Sequence, residues 1–376
     1  GDEVDLGRLP IPVYAEGDGG AFITHGIQIS KDPETGTKNA SIYRMQFQGK
    51  RRLGLYVEEY QDLHRQYVKA EAKDEPLDWG VALGGDPVIM LATQVRAGYG
   101  QDEMEIAGGL HRKPVDLVKC ETVDLEVPAE AEIVLEGYVD LDDLRTEGPF
   151  GDHTGFYSMP DRYPIVEVTA LTHRRNAVFP ATVVGPPPQE DYYMGKATER
   201  IMLPLLKVLI PDILDYHLPR FGAFHNCLFV KIKPEYDEHA RKVMHAVWGA
   251  GQLAWTKIIV VVNDEVNVHD EHAVYFAVGG IDLSSDIEAS RGPLDILDHA
   301  APRLGAGGKL GIDATSSDGA SDAIEIISVS KQRGGDGGNA LAKNDKTLPS
   351  TVKIMVAVDN HIDSTNLGDV FFNFCA

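Results

Sequence analysis

Cysteine is scarce. Cys120, Cys227 and Cys375 stand far apart and form no CxxC pair, which excludes a disulfide framework or a zinc knuckle and reads as the reduced thiols of a cytoplasmic protein. Basic residues are also few, with 35 Lys and Arg against 58 Asp and Glu in 376 residues and a formal net charge of −23. Such a surface repels a phosphate backbone. The two dense basic clusters, Lys50-Arg51-Arg52 and His173-Arg174-Arg175, are too short to reverse that, so no nucleic-acid partner is expected. No apolar run approaches the ~18 residues of a membrane span, and Gly1-Asp2-Glu3-Val4-Asp5 does not read as a signal peptide. No GxxxxGK[ST] occurs and no GxGxxG follows a strand, so a standard nucleotide loop is not supported.

What is present suits a globular protein of two or three domains, 43% apolar and a quarter charged. Residues 1–38 are rich in Gly and Pro. Val57–Lys73 reads as an amphipathic helix, and Val88–Leu91 as a strand or a buried helical turn. From Val115 to Val184 the texture is that of strands, at 117–119, 124–127, 133–139 and 165–170, divided by Pro and Gly. After Gly185-Pro186-Pro187-Pro188 a helix is expected over Asp191–Leu209. A strand at 228–232, a helix at 238–248, a strand at 257–262 and a helix at 271–278 then indicate an α/β domain from about Gln189. Residues 303–340 read as a Gly- and Ser-rich loop or linker. Residues 257–267 are echoed without gaps by 353–363, an offset of 96 that continues from 274–276 to 370–372, and we read this as a partial duplication. The chain starts without Met and stops at Cys375-Ala376 just after an apolar stretch, so both ends read as those of a fragment or a processed chain.

The segment with the sharpest chemical character is Glu147-Gly148-Pro149-Phe150-Gly151-Asp152-His153-Thr154-Gly155, two carboxylates five apart on a loop shaped by Gly and Pro. Two carboxylates in different environments can divide acid and base roles, or they can simply cap the amides of a turn. In Asn39-Ala40-Ser41-Ile42-Tyr43-Arg44, a continuous strand would put Arg44 on one face with Ile42, Gln46 and Gln48. An Arg there clamps a carboxylate or serves as an ordinary surface residue. Asn39, Asp62, Glu103 and Glu105 offer hard oxygen ligands for Mg²⁺ or Mn²⁺, with His64 a possible nitrogen ligand. Lys257 opens a buried strand and either meets a phosphate or snorkels. A hydrolytic metal centre would need bridging carboxylates or a group of His residues, and no such grouping of His is expected from their positions.

Together these segments resemble the UbiD-type decarboxylases, which use prenylated flavin mononucleotide (prFMN). The resemblance covers about Val4 to Thr315 and is carried most specifically by Glu147-Gly148-Pro149-Phe150-Gly151-Asp152. Asn39-x4-Arg44, Ala82-Leu83-Gly84-Gly85-Asp86-Pro87, Glu103-x3-Ala107-Gly108, the run Val127–Gly137 and Lys196-Ala197-Thr198-Glu199-Arg200 support it. The resemblance implies α+β and α/β architecture, a split β-barrel flavin-binding domain (1–188) followed by an α/β oligomerisation domain (189–315), with 316–376 a Gly-rich linker and partial repeat. It implies Arg44, Glu147 and Asp152 as the catalytic set, and Asn39, Arg44, Glu103 and Lys257 as cofactor contacts. The metal ligands it implies are Asn39, Glu103 and, where the family has His, Asp62, with His64 the alternative. The implied cofactors are prFMN, Mn²⁺ or Mg²⁺, and K⁺.

The implied reaction is a non-oxidative, reversible decarboxylation of an aromatic, heteroaromatic or α,β-unsaturated acid. The flavin acts as electron sink and Glu147 protonates the carbon that loses CO₂. The implied partners are the small carboxylic acid, further copies in a homo-oligomer, and a flavin prenyltransferase that supplies the cofactor, with neither nucleic acid nor membrane. Family members usually carry an α/β segment of roughly a hundred residues ahead of the point where this chain starts. That difference and the Asp in place of a ligand His raise a second expectation, a non-catalytic or assembly subunit.

Overall fold

The computed structural model describes residues 4–330, apart from positions 60, 96–97, 224, 300, 302, 317–318 and 320–323, together with 339–341, 343, 354–359, 362–363 and 365–366. The chain divides into two compact units, Gly1–Gly185 and Pro186–Ala376.

The first unit runs β1 (Phe22–Ile23), β2 (Gly26–Lys31), β3 (Lys38–Ile42), β4 (Met45–Gly49), β5 (Arg52–Leu55), α1 (Asp62–Glu71), β6 (Leu77–Leu83), α2 (Pro87–Ala92), α3 (Glu103–His111), β7 (Leu117–Lys119), β8 (Glu126–Pro128), β9 (Ile133–Glu147) and β10 (Asp161–His173). Eight of these strands form one sheet in the order β1-β4-β5-β10-β9-β6-β2-β3. Its pairings are all antiparallel.

The connections dictate the sheet's shape. β3 and β4 are six strand positions apart in the sheet, yet only Tyr43 and Arg44 join them. Laid flat, those six steps would span about 29 Å, whereas the chain from Ile42 to Met45 reaches at most about 11 Å. The two-residue link from β1 to β2 imposes the same limit at the same distance. The sheet therefore curls into a barrel left open between β1 and β3, the split-barrel arrangement. Its core is a single cluster that includes Ile23, Met45, Leu53, Trp79, Val81, Leu135, Val139, Val166 and Val168, with Leu63 and Ala70 of α1 packed into it.

One local expectation changes here and an open alternative is resolved. The helix expected over Val57–Lys73 forms only as α1, which starts after Gln61, a residue in the β conformation. The apolar run at 88–91 is the helix α2, with Pro87 at its first turn and the Asp86 carboxylate accepting from Val88 N.

The second unit runs α4 (Glu190–Leu209), β11 (Ile213–His217), β12 (Cys227–Ile232), α5 (His239–Trp248), β13 (Ile258–Val262), α6 (Glu271–Gly279), β14 (Ile287–Pro293), β15 (Ala306–Ala314), β16 (Ile324–Val329) and β17 (Ile354–Asp359). Five strands form a sheet in the order β11-β12-β13-β15-β14, parallel at its centre and antiparallel at both edges. Central β13 buries alternate residues on opposite faces. Ile258, Val260 and Val262 pack with Val274, Ala277 and Val278 of α6. Ile259 and Val261 pack with Val243, Met244 and Val247 of α5 and Leu206 of α4. A sheet covered by helices on both faces explains the unbroken apolar run Ile258–Val262.

The stretch expected to be loop at 303–340 contains β15 and β16. Gly311 in β15 serves packing, since a Cβ there would meet Met244 Sδ at 2.4 Å. Gly334–Gly338 lie outside the described residues. The two copies of the echoed segment form β13 and β17, each paired in parallel with a neighbour, and the later part at 370–372 lies outside the described residues. No helix among the described residues is long and apolar enough to cross a membrane.

Candidate active site

Arg44 does not lie in a continuous strand. The backbone leaves one end of the sheet at Ile42 and joins the other at Met45, so Tyr43 and Arg44 are the turning point. Their carbonyls are satisfied outside the strand ladder, Tyr43 by the buried Gln28 amide (2.7 Å) and Arg44 by Tyr56 N (3.3 Å). Gln28 also accepts from Trp79 Nε1 at 2.9 Å, which ties the turning point to the core.

Freed from the strand, the Arg44 guanidinium donates four hydrogen bonds to three side chains. Its Nε and Nη2 donate to the two oxygens of Glu147 (2.8 and 3.0 Å), Nη1 to Asp152 Oδ2 (3.1 Å) and Nη2 to Ser158 Oγ (2.9 Å). The bidentate fork on Glu147 is the strong geometry for an Arg–carboxylate pair. The guanidinium carbon lies 3.9 Å from the centre of the Tyr56 ring and 4.9 Å from that of Phe150, where cation–π attraction adds to its hold. Side-chain exposure is 8% for Arg44, 0% for Glu147 and 11% for Asp152.

The loop carrying the two acids is rigidly held. Glu147 ends β9, and Gly148 follows with φ +86°, in the left-handed region. The chain returns at Ser158, whose N–H donates to Phe150 O (2.8 Å) while its Oγ accepts from Phe150 N (3.1 Å). Asp18 clamps the loop from outside, accepting from Gly151 N at 2.8 Å and from Tyr14 and Ala15 N at 3.1 and 2.8 Å.

The two acids stand in different electrostatic surroundings. Burial alone would raise the Asp152 carboxyl. The side chain and N–H of His153 (2.9 and 2.8 Å) and the Arg44 charge outweigh that and bring it down to about 2. Asp152 is thus a fixed anion near neutrality. Beside them, Tyr163 donates to Glu58 at 2.8 Å, and burial with the Glu58 charge pushes the phenols of Tyr56 and Tyr163 well above their ordinary range.

A second set of predicted residues comes from β3, α1 and α3. Asn39 on β3 is buried and donates to Ser41 Oγ at 3.1 Å. Glu103, the first residue of α3, is buried and accepts from Ala40 N at 2.8 Å. Burial raises its carboxyl to about 7, and the charges of Asp102 and Asp62 add to that push against the Ala40 bond. Asp62 opens α1 and its carboxyl is itself raised by burial. His64, two residues on and so about 200° around the helix, stacks on Tyr67 with ring centres 5.8 Å apart. Glu105 lies exposed, two positions beyond Glu103 on α3.

Lys257 belongs to the second unit, where its ammonium pairs with the fully buried Asp298 carboxylate at 2.8 Å. The expectation that the histidines stay apart is overturned there as well. His217 and His269, 52 residues apart, meet at Glu199, because the end of β11, the loop before α6 and the face of α4 come together. Ser158, Tyr56 and Asp18 were not anticipated, since each reaches the site by chain return or sheet curl, for which no local pattern exists, whereas Phe150 lies within the Glu147–Asp152 segment itself.

Residues 1–187 match the 3-octaprenyl-4-hydroxybenzoate carboxy-lyase Rift-related domain, and residues 192–314 match the C-terminal domain of the same enzyme family. An uncharacterized protein of Archaeoglobus fulgidus is 46% identical over 313 residues, covering 82% of this chain and 65% of the relative. The chain thus spans just under two thirds of that relative's length. Among solved structures, the UbiD-class enzyme HmfF of Pelotomaculum thermopropionicum in complex with FMN is 35% identical, with a TM-score of 0.76 over 84% of this chain and 71% of that one. Vanillic acid decarboxylase of Sedimentibacter hydroxybenzoicus is 27% identical, with a TM-score of 0.78 over 91% and 73%. With both domains matched in order along most of its length, the chain belongs to the UbiD family of carboxy-lyases.

Proposed function

We propose that the protein is a prFMN-dependent decarboxylase that replaces the carboxylate of an aromatic, heteroaromatic or α,β-unsaturated acid with a proton and releases CO₂, reversibly. The observation that carries the reading is the buried Arg44 guanidinium shared by Glu147 and Asp152.

Asn39, Asp62 and Glu103 fit a divalent cation. They combine an amide oxygen with two carboxyls, and a buried carboxyl pushed up to about 7 is one that a hard cation would ionise and hold. These three would hold Mn²⁺ or Mg²⁺, and with Arg44 the phosphate side of prFMN, with K⁺ as a further cation. When bound, the cofactor supplies the electron sink for the carbon that loses CO₂.

The protein's own residues do the rest. Arg44, held by Tyr56 and Ser158, orients Glu147 through the bidentate fork. Asp152, kept anionic by His153 and Arg44, holds its share of the guanidinium charge. The proton required by the carbon then falls to Glu147, the acid with no exposure to bulk water. The raised phenols of Tyr56 and Tyr163 keep those side chains neutral near this charge. We place the enzyme in the cytoplasm as a homo-oligomer, supplied with cofactor by a flavin prenyltransferase.

The test is CO₂ release from a panel of aromatic, heteroaromatic and acrylic acids by protein loaded with prFMN, Mn²⁺ and K⁺. Glu147→Gln should lower turnover by about 10²–10⁴-fold, the usual contribution of a positioned acid, while the flavin absorption stays. Loaded protein that releases no CO₂ from any acid would overturn the reading. Failure to take up prFMN at all would give the chain the role of an assembly subunit.

A further inference from the structure

We propose a divalent transition-metal site in the second unit, built by Glu199, His217 and His269 and independent of the proposed decarboxylase site. The three residues come from three elements: α4, the last position of β11, and the loop preceding α6. Glu199 and His217 are buried and His269 is exposed at the edge.

The distances fit a first-row ion. Two ligands each about 2.05 Å from a tetrahedral metal stand about 3.3 Å apart. His217 Nδ1 and His269 Nδ1 are 3.2 Å apart and His217 Nδ1 is 3.4 Å from Glu199 Oε2, while His269 Nδ1 is 3.9 Å from the other oxygen, Oε1, and one ligand atom from each residue falls within 4.8 Å of the others.

Tautomer and orientation agree. His269 Nε2 lies 3.1 Å from Asp215 Oδ2, and Asp215 is in turn held by Arg200 at 2.8 Å. A carboxylate on one imidazole nitrogen leaves the other bare and aims it, the usual support behind a metal-bound His. The bare Nδ1 of His269 therefore faces Nδ1 of His217, with the rings at 71°. The two ring nitrogens and the Glu199 carboxylate crowd one small space that a proton or a cation has to fill.

Glu199 is positioned with equal care. Its Oε2 accepts from Leu218 N at 2.7 Å, and Arg200 Nη2 lies 2.9 Å from its Oε1. The Lys196 ammonium now supplies the positive charge, donating to Glu199 Oε2 at 2.7 Å and to His217 Nδ1. It is within hydrogen-bond reach of two of the three ligands, so metal and ammonium compete. A His₂Glu set with one replaceable position suits Zn²⁺ or Co²⁺ over the oxygen-seeking Mg²⁺. The ion would fasten α4 to β11 and to the loop before α6.

The experiment is a Co²⁺ titration of the chelator-stripped full chain, read by the visible bands of tetrahedral cobalt, with Zn²⁺ competition and thermal unfolding alongside. One equivalent of tetrahedral Co²⁺, displaced by Zn²⁺ and raising Tm, is expected. His269→Ala, at an exposed position that tolerates substitution, should abolish the bands, and Glu103→Gln should leave them. Lys196→Ala should tighten binding by about tenfold, equivalent to roughly 1.4 kcal/mol, by removing the competing ammonium. Absence of tetrahedral bands in both the natural chain and Lys196→Ala would overturn the proposal. Bands that survive His269→Ala, or that vanish with Glu103→Gln, would overturn it as well.

Discussion

Glu147 and Asp152 bind the same guanidinium, but their other neighbours differ, and that difference is measurable. Asp152 has the His153 side chain and amide on its second oxygen, which bring its carboxyl down to about 2 from an ordinary 3.8. A depressed carboxyl stabilises the fold above its unfolded-state pKa and loses that contribution as pH falls through its folded-state value. The natural protein should therefore exceed Asp152→Asn in stability by a margin that shrinks by about 2 kcal/mol between pH 5 and pH 2. Urea unfolding of both proteins across that range reads it, and a margin independent of pH would mean that Asp152 is not held ionised. The spacing of Glu147 and Asp152 was legible in the sequence, as was the supply of hard ligands at Asn39, Asp62 and Glu103. Which carboxylate is locked as an anion was not, because it depends on how the His153 ring and the Arg44 fork turn toward it.

At the scale of elements, the loop from Glu147 to Ser158 works as a template because its backbone is fixed at both ends and at its middle. Asp18 takes three amides at once, those of Tyr14, Ala15 and Gly151, and Gly19 N donates to Pro149 O at 2.7 Å. The approach is close enough that a Cβ on Gly19 would meet Gly148 O at 2.2 Å. Asp18→Ala leaves those amides to find other partners and should cost about 1–3 kcal/mol in unfolding experiments. On the proposed function, kcat should fall with it, since Asp152 sits one residue beyond the clamped Gly151. Unchanged stability would show that the loop holds itself. Periodicity located the apolar elements well. Buried strands such as Ile258–Val262 declare themselves by composition, and α4 by its acidic start. It failed at Arg44, where a strand pattern runs straight through a change of sheet partner, and at Ala306–Ala314, where Gly311 marks close packing of α5 against β15.

For the whole molecule, the charge of −23 would oppose the carboxylate substrate of the proposed function. Arg44 is fully engaged by two carboxylates and Lys257 is paired with Asp298, so neither is a strong long-range attractor, and on the proposed function the local attraction would fall to the cations held at Asn39, Asp62 and Glu103. On the proposed function, raising NaCl from about 10 to 150 mM shortens the Debye length from about 30 to 8 Å and screens the global repulsion. KM for a carboxylic acid should then fall a few-fold with kcat unchanged. A KM that rises with salt would show that the local positive field dominates at range.

The sequence by itself determined the family and the chemistry on offer. The Glu147–Asp152 loop, the Asn39–Arg44 segment and the alternation of apolar strands and helices after Gln189 are short-range patterns, and short-range patterns are what a linear reading detects. Only the tertiary structure decided which groups meet. The Arg44–Glu147 pair spans 103 residues and the His217–His269 pair 52. The first exists because two-residue links force an eight-stranded sheet to curl until its ends approach each other. The second exists because a helix, a strand end and a loop converge around one buried glutamate. Contacts at such separations are set by sheet order and closure, which depend on the packing of the whole chain and leave no periodic mark on it.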